Sequence, residues 1–156
     1  MVFRDNDSYA DMARFLEALL KNNAGALGIA NLPNGTPSVF YGDQQNIPVT
    51  PTACIDPGGK RRELNGAPRK TDVTLYNYII VYRYELGSVS DQQEDADDLI
   101  EDIEALIHQD AFMSNSVLHS MVVGIDSGYL QRRNALYRSS RLTVEATVTK
   151  QLPSQF

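Results

Sequence analysis

The sequence predicts an α+β fold: a mixed or antiparallel sheet with one long amphipathic helix and a short N-terminal helix packed on one face, and a protruding hairpin loop. Three stretches dictate this. Residues 72–85 string together Val73, Leu75, Tyr76, Tyr78, Ile79, Ile80, Val81, Tyr82 and Tyr84, the β-branched and aromatic types that suit a pleated strand. Residues 142–150 alternate cleanly, with Leu142, Val144, Ala146 and Val148 inward and Thr143, Glu145, Thr147 and Thr149 outward, as a half-buried strand does. Between them Ala96, Leu99, Ile100, Ile103, Leu106 and Ile107 form an apolar stripe at helical spacing.

The remaining elements follow in order. Tyr9, Met12, Ala13, Leu16, Leu19 and Leu20 predict a helix over 7–21, capped by Ser8, with Asp7 and Asp11 at its positive end and Asn22, Asn23 and Gly25 at its stop. Residues 26–58 hold three short apolar pieces, 27–30, 38–41 and 52–55, broken by Pro33, Pro37, Pro48, Pro51 and Pro57. Proline lacks a ladder donor, so these pieces are expected at sheet edges or in extended connections. Residues 58–71 are polar and read as a long hairpin loop carrying Lys60, Arg61, Arg62, Arg69 and Lys70. The strand at 72–85 has apolar bodies on both faces and needs cover on both. The long helix spans 90–109, with Ser90 and Gln93 matching a capping box. A looser strand occupies 117–125, and 126–141 is a connection bearing Arg132, Arg133, Arg138 and Arg141. The tail, 151–156, is expected to be loose.

At 156 residues, with 42% apolar and 22% charged residues, the chain fits one domain with its own core and no disordered composition. One cysteine, Cys54, rules out an intrachain disulfide, and its apolar surroundings predict a buried structural thiol. The N-terminus lacks a signal-type apolar core, and no apolar run approaches the ~20 residues of a membrane helix. A soluble, cytosolic setting without membrane contact is expected. The net charge of −6 argues against general affinity for nucleic acid.

Candidate chemistry is sparse. The outer face of the long helix is acidic, with Asp97, Asp98 and Glu101 at its centre. Those carboxylates point out along one face and lack the loop spacing of a calcium site. A solvated face is the simpler reading, and a contact with basic segments of a neighbouring copy is the sharper one. The Gly58-Gly59-Lys60 run lacks phosphate-loop spacing, and the basic stretch has no aromatic platform for bases. It is either a plain exposed hairpin or a contact arm. His108 and His119 have no recognisable catalytic partners nearby in sequence, and both are expected to be structural. No catalytic, cofactor-binding or metal-binding set emerges. The candidate sites are instead protein interfaces, at Lys60, Arg61, Arg62, Arg69, Lys70, Asp97, Asp98, Glu101, Arg132 and Arg133.

The order of elements resembles the tail terminator, or tail completion, proteins of long-tailed double-stranded DNA bacteriophages. The likeness runs from a short N-terminal helix through Thr50-Pro51-Thr52-Ala53-Cys54-Ile55-Asp56-Pro57-Gly58. It continues through Leu75-Tyr76-Asn77-Tyr78-Ile79-Ile80-Val81-Tyr82, the amphipathic helix and a closing strand pair. The resemblance implies a virion protein, made in the host cytoplasm, that forms a homo-oligomeric and specifically hexameric ring. Such a ring caps the last ring of tail tube protein, stops tube growth and presents a surface to head-side connector proteins. DNA passes through it without sequence-specific binding. No cofactor is implied, and no residue role carries over, because the family has no motif to map. A head–tail connector or head-completion subunit is the alternative. A small enzyme with a site assembled between subunits, drawing on the acidic helix and Arg132, Arg133 or Arg138, is the third.

Overall fold

The computed structural model describes residues 8–66, 70–87 and 93–151. The chain is α+β, with a five-stranded mixed sheet and three helices, one of them long. In chain order these are α1 (Tyr9–Asn22), α2 (Ala24–Leu27), β1 (Val39–Tyr41), β2 (Thr52–Leu64), β3 (Lys70–Glu85), α3 (Gln93–Gln109), β4 (His119–Gln131) and β5 (Leu136–Gln151). The spatial order of the strands is β1-β2-β3-β5-β4. Only the β1–β2 pair is parallel; the other three contacts are antiparallel.

Helix α1 starts where the sequence places its cap: the Ser8 hydroxyl accepts the Asp11 amide at 3.1 Å. Its apolar stripe buries Met12, Ala13, Phe15, Leu16 and Leu20. The α3 stripe buries Ala96, Leu99, Ile100, Ile103 and Ile107. Both stripes meet one face of the sheet in a single core that takes in Ala53, Ile55, Val73, Leu75, Ile79, Val81, Leu142, Val144, Ala146 and Val148. The inward set expected for β5 is therefore the observed one. On the opposite face a smaller cluster gathers Ile47, Cys54, Ile80, Tyr82 and Tyr137, with Tyr82 and Tyr137 meeting edge to face. Cover on that face reaches Tyr82 and thins toward Tyr76 and Tyr78, which are half-buried.

Several expectations need correction. Residues 58–64 and 70–71 lie in strands rather than in a loop. Strand β2 runs to Leu64, pairs with β3 as far as Leu64↔Thr71, and places Lys60, Arg61 and Arg62 in a strand, while Lys70 opens β3. The Pro57-Gly58-Gly59 run, which looks like a turn, is a β-bulge between Pro57 and Gly59, with Gly59 at φ +98. Gly58 has no room for a side chain: a Cβ there would sit 2.8 Å from the Tyr78 ring. The 52–55 piece is also not an edge, since β1 covers it, but β1 pairs only with Ala53, Cys54 and Ile55. Beyond Ile55 the outer side of β2 is open, which is where the proline rule puts Pro57.

Residues 126–141 are likewise mostly strand. Strands β4 and β5 form a long hairpin closed by Gln131↔Leu136, so Arg138 and Arg141 lie in β5 and the turn keeps Arg132 and Arg133. His119 opens β4 rather than sitting mid-strand. A short helix, α2, occupies part of the segment expected to be extended. Arg69, Ser90 and residues 152–156 lie outside the described residues.

Candidate functional site

The polar groups divide into those the fold consumes and those its edges display. Arg132 belongs to the first kind. Its Nε donates to the Tyr82 hydroxyl at 2.7 Å and its Nη2 meets Asp43 Oδ2 at 2.5 Å, while that hydroxyl donates to Asp43 Oδ1 at 2.6 Å. The closed triangle ties the segment after β1 to the β4–β5 turn. Asn134, bonded to Ile47 through both its amide and the Ile47 backbone, and the Tyr137 hydroxyl, which donates to the Ile47 carbonyl, reinforce it. Burial, followed by the hydrogen bond to Asp43, pushes the Tyr82 phenol well above its usual range. Burial alone would lower the Arg132 guanidinium, yet Tyr82 and Asp43 hold it above its ordinary value. A phenol kept neutral between a carboxylate and a guanidinium is a strut. Arg133 stays exposed, its backbone amide bonded to the Gln45 carbonyl.

The acidic helix face is also partly consumed. Asp97 pairs with Arg83, whose side chain is fully buried. Arg83 lies at a second bulge, between Tyr82 and Tyr84, and among the described residues its Nε and Nη2 have no hydrogen-bond partner. Asp98 and Glu101 are exposed. Asp97 and Glu101 border a hollow of about 220 Å³ between α3 and β4, with Ile100, Ile125, Ser127 and Ser140 as its other walls. The suspected enzyme residues do not converge: Arg132 is held at Asp43, and Arg138 stacks 4.8 Å from the Tyr129 ring. Among the described residues no three His, Cys, Asp or Glu side chains gather to hold a metal ion, and no helix is long and apolar enough to cross a membrane. His108 accepts the Val122 amide at 3.0 Å, anchoring the end of α3 to β4. Cys54 is fully buried, and burial drives its thiol up to about 12.

What remains is displayed at the two sides of the sheet. On one side, Lys60, Arg61 and Arg62 line the open part of β2, with Arg14 and Lys21 above them on α1 beside β1. Carboxylates share that side: Asp56 lies on β2, Glu17 bonds Arg14 and Lys21, and Glu63 bonds Arg61. On the other side, among the described residues β4 pairs only with β5, and its outer edge carries no further strand along 13 residues. Leu118, Met121, Val123, Ile125 and Tyr129 are 38–60% exposed there, and the acidic face of α3 lies alongside. The sequence signal for this second edge was the loose alternation of 117–125, which puts apolar groups on both faces.

No protein-family model matches the chain, and comparison with curated protein sequences finds no significant match.

Proposed function

We propose that the chain is a tail terminator of a long-tailed phage. It is one subunit of a hexameric ring that caps the head-proximal end of the tail tube, ends tube polymerisation and offers the head-side connector a joining surface. The observation that carries this reading is the unlikeness of the two sheet edges, one basic and one acidic and apolar. A subunit that must close a ring needs two different patches that fit each other around a rotation axis, whereas a two-fold dimer needs one patch that fits itself. The order of elements supports the same reading.

In this reading the helix layer on one face and the sheet form the ring wall. The β2–β3 hairpin, with its basic residues, projects toward a neighbouring ring component. DNA passes through the centre without being read. No cofactor takes part, and the work is done by shape and surface in the virion.

The test adds purified protein to purified tail tubes. Size-exclusion chromatography with light scattering and negative-stain images of tube ends provide the readout. We expect a sixfold ring at one end of each tube, and tubes so capped stop elongating when tube protein is added. A protein that stays monomeric and leaves tube growth unchanged overturns the reading.

A further inference from the structure

The sheet's own register defines how two copies fit. His119 pairs with Thr147, Thr147 with Thr74, and Thr74 with Arg61. Residues that follow one another across a ladder lie level and share a face, so His119 on one open edge is level with Arg61 on the other. By the same route Met121 is level with Gly59, and Ile125 is level with Tyr41 of β1. The open part of β2 therefore stands opposite the opening residues of β4, and β1 fills the column above it. The β4 bulge between Val122 and Gly124 falls at the row just below β1. A bulge bends its strand and ends regular pairing, and here it would carry the rest of β4 clear of a neighbour's β1.

Direction and charge then select the arrangement. Three antiparallel steps separate β2 from β4, so the two edges run in opposite directions. Copies set side by side in the same orientation bring them together as an antiparallel pair. An isologous β4–β4 contact would also be antiparallel, but it sets one acidic α3 beside another. The head-to-tail contact sets α3, with Asp98 and Glu101 exposed, beside α1 with Arg14 and Lys21, and it covers Leu118 and Met121. Edge strands with uncovered backbone groups and apolar side chains are pairing templates.

We propose that copies of this chain join head to tail through their sheet edges, residues 118–121 of one copy pairing antiparallel with residues 59–62 of the next. This contact rests on the ring reading for its biological role, and on the sheet register alone for its geometry.

Cysteine crosslinking tests it. Cys54 is fully buried, so a new surface thiol reacts alone. His119→Cys and Arg61→Cys are prepared separately, and His119→Cys/Arg61→Cys is prepared as one chain. Each is oxidised with copper phenanthroline at millimolar protein. We expect a disulfide dimer from the mixed single variants, at least tenfold more than from either alone, and a ladder from the double variant that stops at a closed species. Dimer from His119→Cys alone shows the isologous contact and overturns the proposal; so does no crosslinking in either the mixture or the double variant. The outcomes separate the two claims. Crosslinked copies that fail to cap tubes refute the terminator reading and keep the edge contact, while capped tubes without crosslinking refute only the contact.

Discussion

Strands β4 and β5 are the two arms of one hairpin, yet they are finished differently. In β5, Leu142, Val144, Ala146 and Val148 are buried to within about 1%, and their threonine and glutamate neighbours face away. In β4, apolar residues face outward on both sides of the strand, and among the described residues its outer edge has no partner strand. Soluble domains blunt a long open edge with charge, proline or a cover, because it otherwise pairs with another chain. In the head-to-tail contact we propose, β5 is finished by folding and β4 by assembly. Substitutions in the two arms should therefore separate stability from association.

The largest effect is expected on the closed side. Leu142→Ala or Ile103→Ala empties a fully buried position in the core shared by sheet and helices, and should cost about 2–5 kcal/mol in urea unfolding. The matching change on the open side, Met121→Lys with Val123→Lys, should alter monomer stability by only about 0.5 kcal/mol, while removing self-assembly measured by sedimentation. If both pairs of variants lowered stability alike, the contrast between the arms would be wrong.

Smaller effects sharpen the division between consumed and displayed charges. Tyr82→Phe removes the hydroxyl that bonds both Asp43 and Arg132, and should cost about 1.5–3 kcal/mol, since both partners are charged. Its assembly should be unchanged once folded, because the triangle lies within one copy. Alkaline titration gives a more gradual loss. The Cys54 thiol is raised by burial from 9.0 to about 12, so the folded state holds its proton longer than the unfolded chain. The stability this represents is complete below about pH 9 and fades as pH rises toward 12. Tyr82 and Tyr137 are raised as well and act in the same direction. Cys54→Ala should flatten the first part of that decline in urea midpoints measured between about pH 8 and pH 11.

The parts legible in the sequence are those with a period. Helix α1, the α3 stripe, the β3 run and the inward set of β5 each repeat apolar residues against a buried surface, and burial is what writes a period into sequence. Residues 58–64 carry no such period. An open edge strand need not hide either face, and its Pro57-Gly58-Gly59 bulge imitates a turn. The β4–β5 hairpin tip was hidden in the same way by Gly128, Ser139 and the arginines. The Asp43–Tyr82–Arg132 triangle joins residues 39 and 50 positions apart in sequence, and only the sheet register brings them together. The acidic face of α3 and the basic run at 60–62 were both visible, but their places on opposite sides of one sheet were not.

That opposition can be tested by reversing charge on each side in turn. Lys21→Glu/Lys60→Glu/Arg62→Glu makes the β2 side acidic, and Asp98→Lys/Glu101→Lys/Asp102→Lys makes the α3 side basic. Sedimentation at low salt, where exposed charges act across about 30 Å, should find wild-type protein assembled and each variant alone monomeric. An equal mixture of the two variants should assemble again, because every contact then joins unlike charges. A mixture that stays monomeric while wild type assembles, or variants that assemble alone as wild type does, would contradict a head-to-tail contact between these two edges.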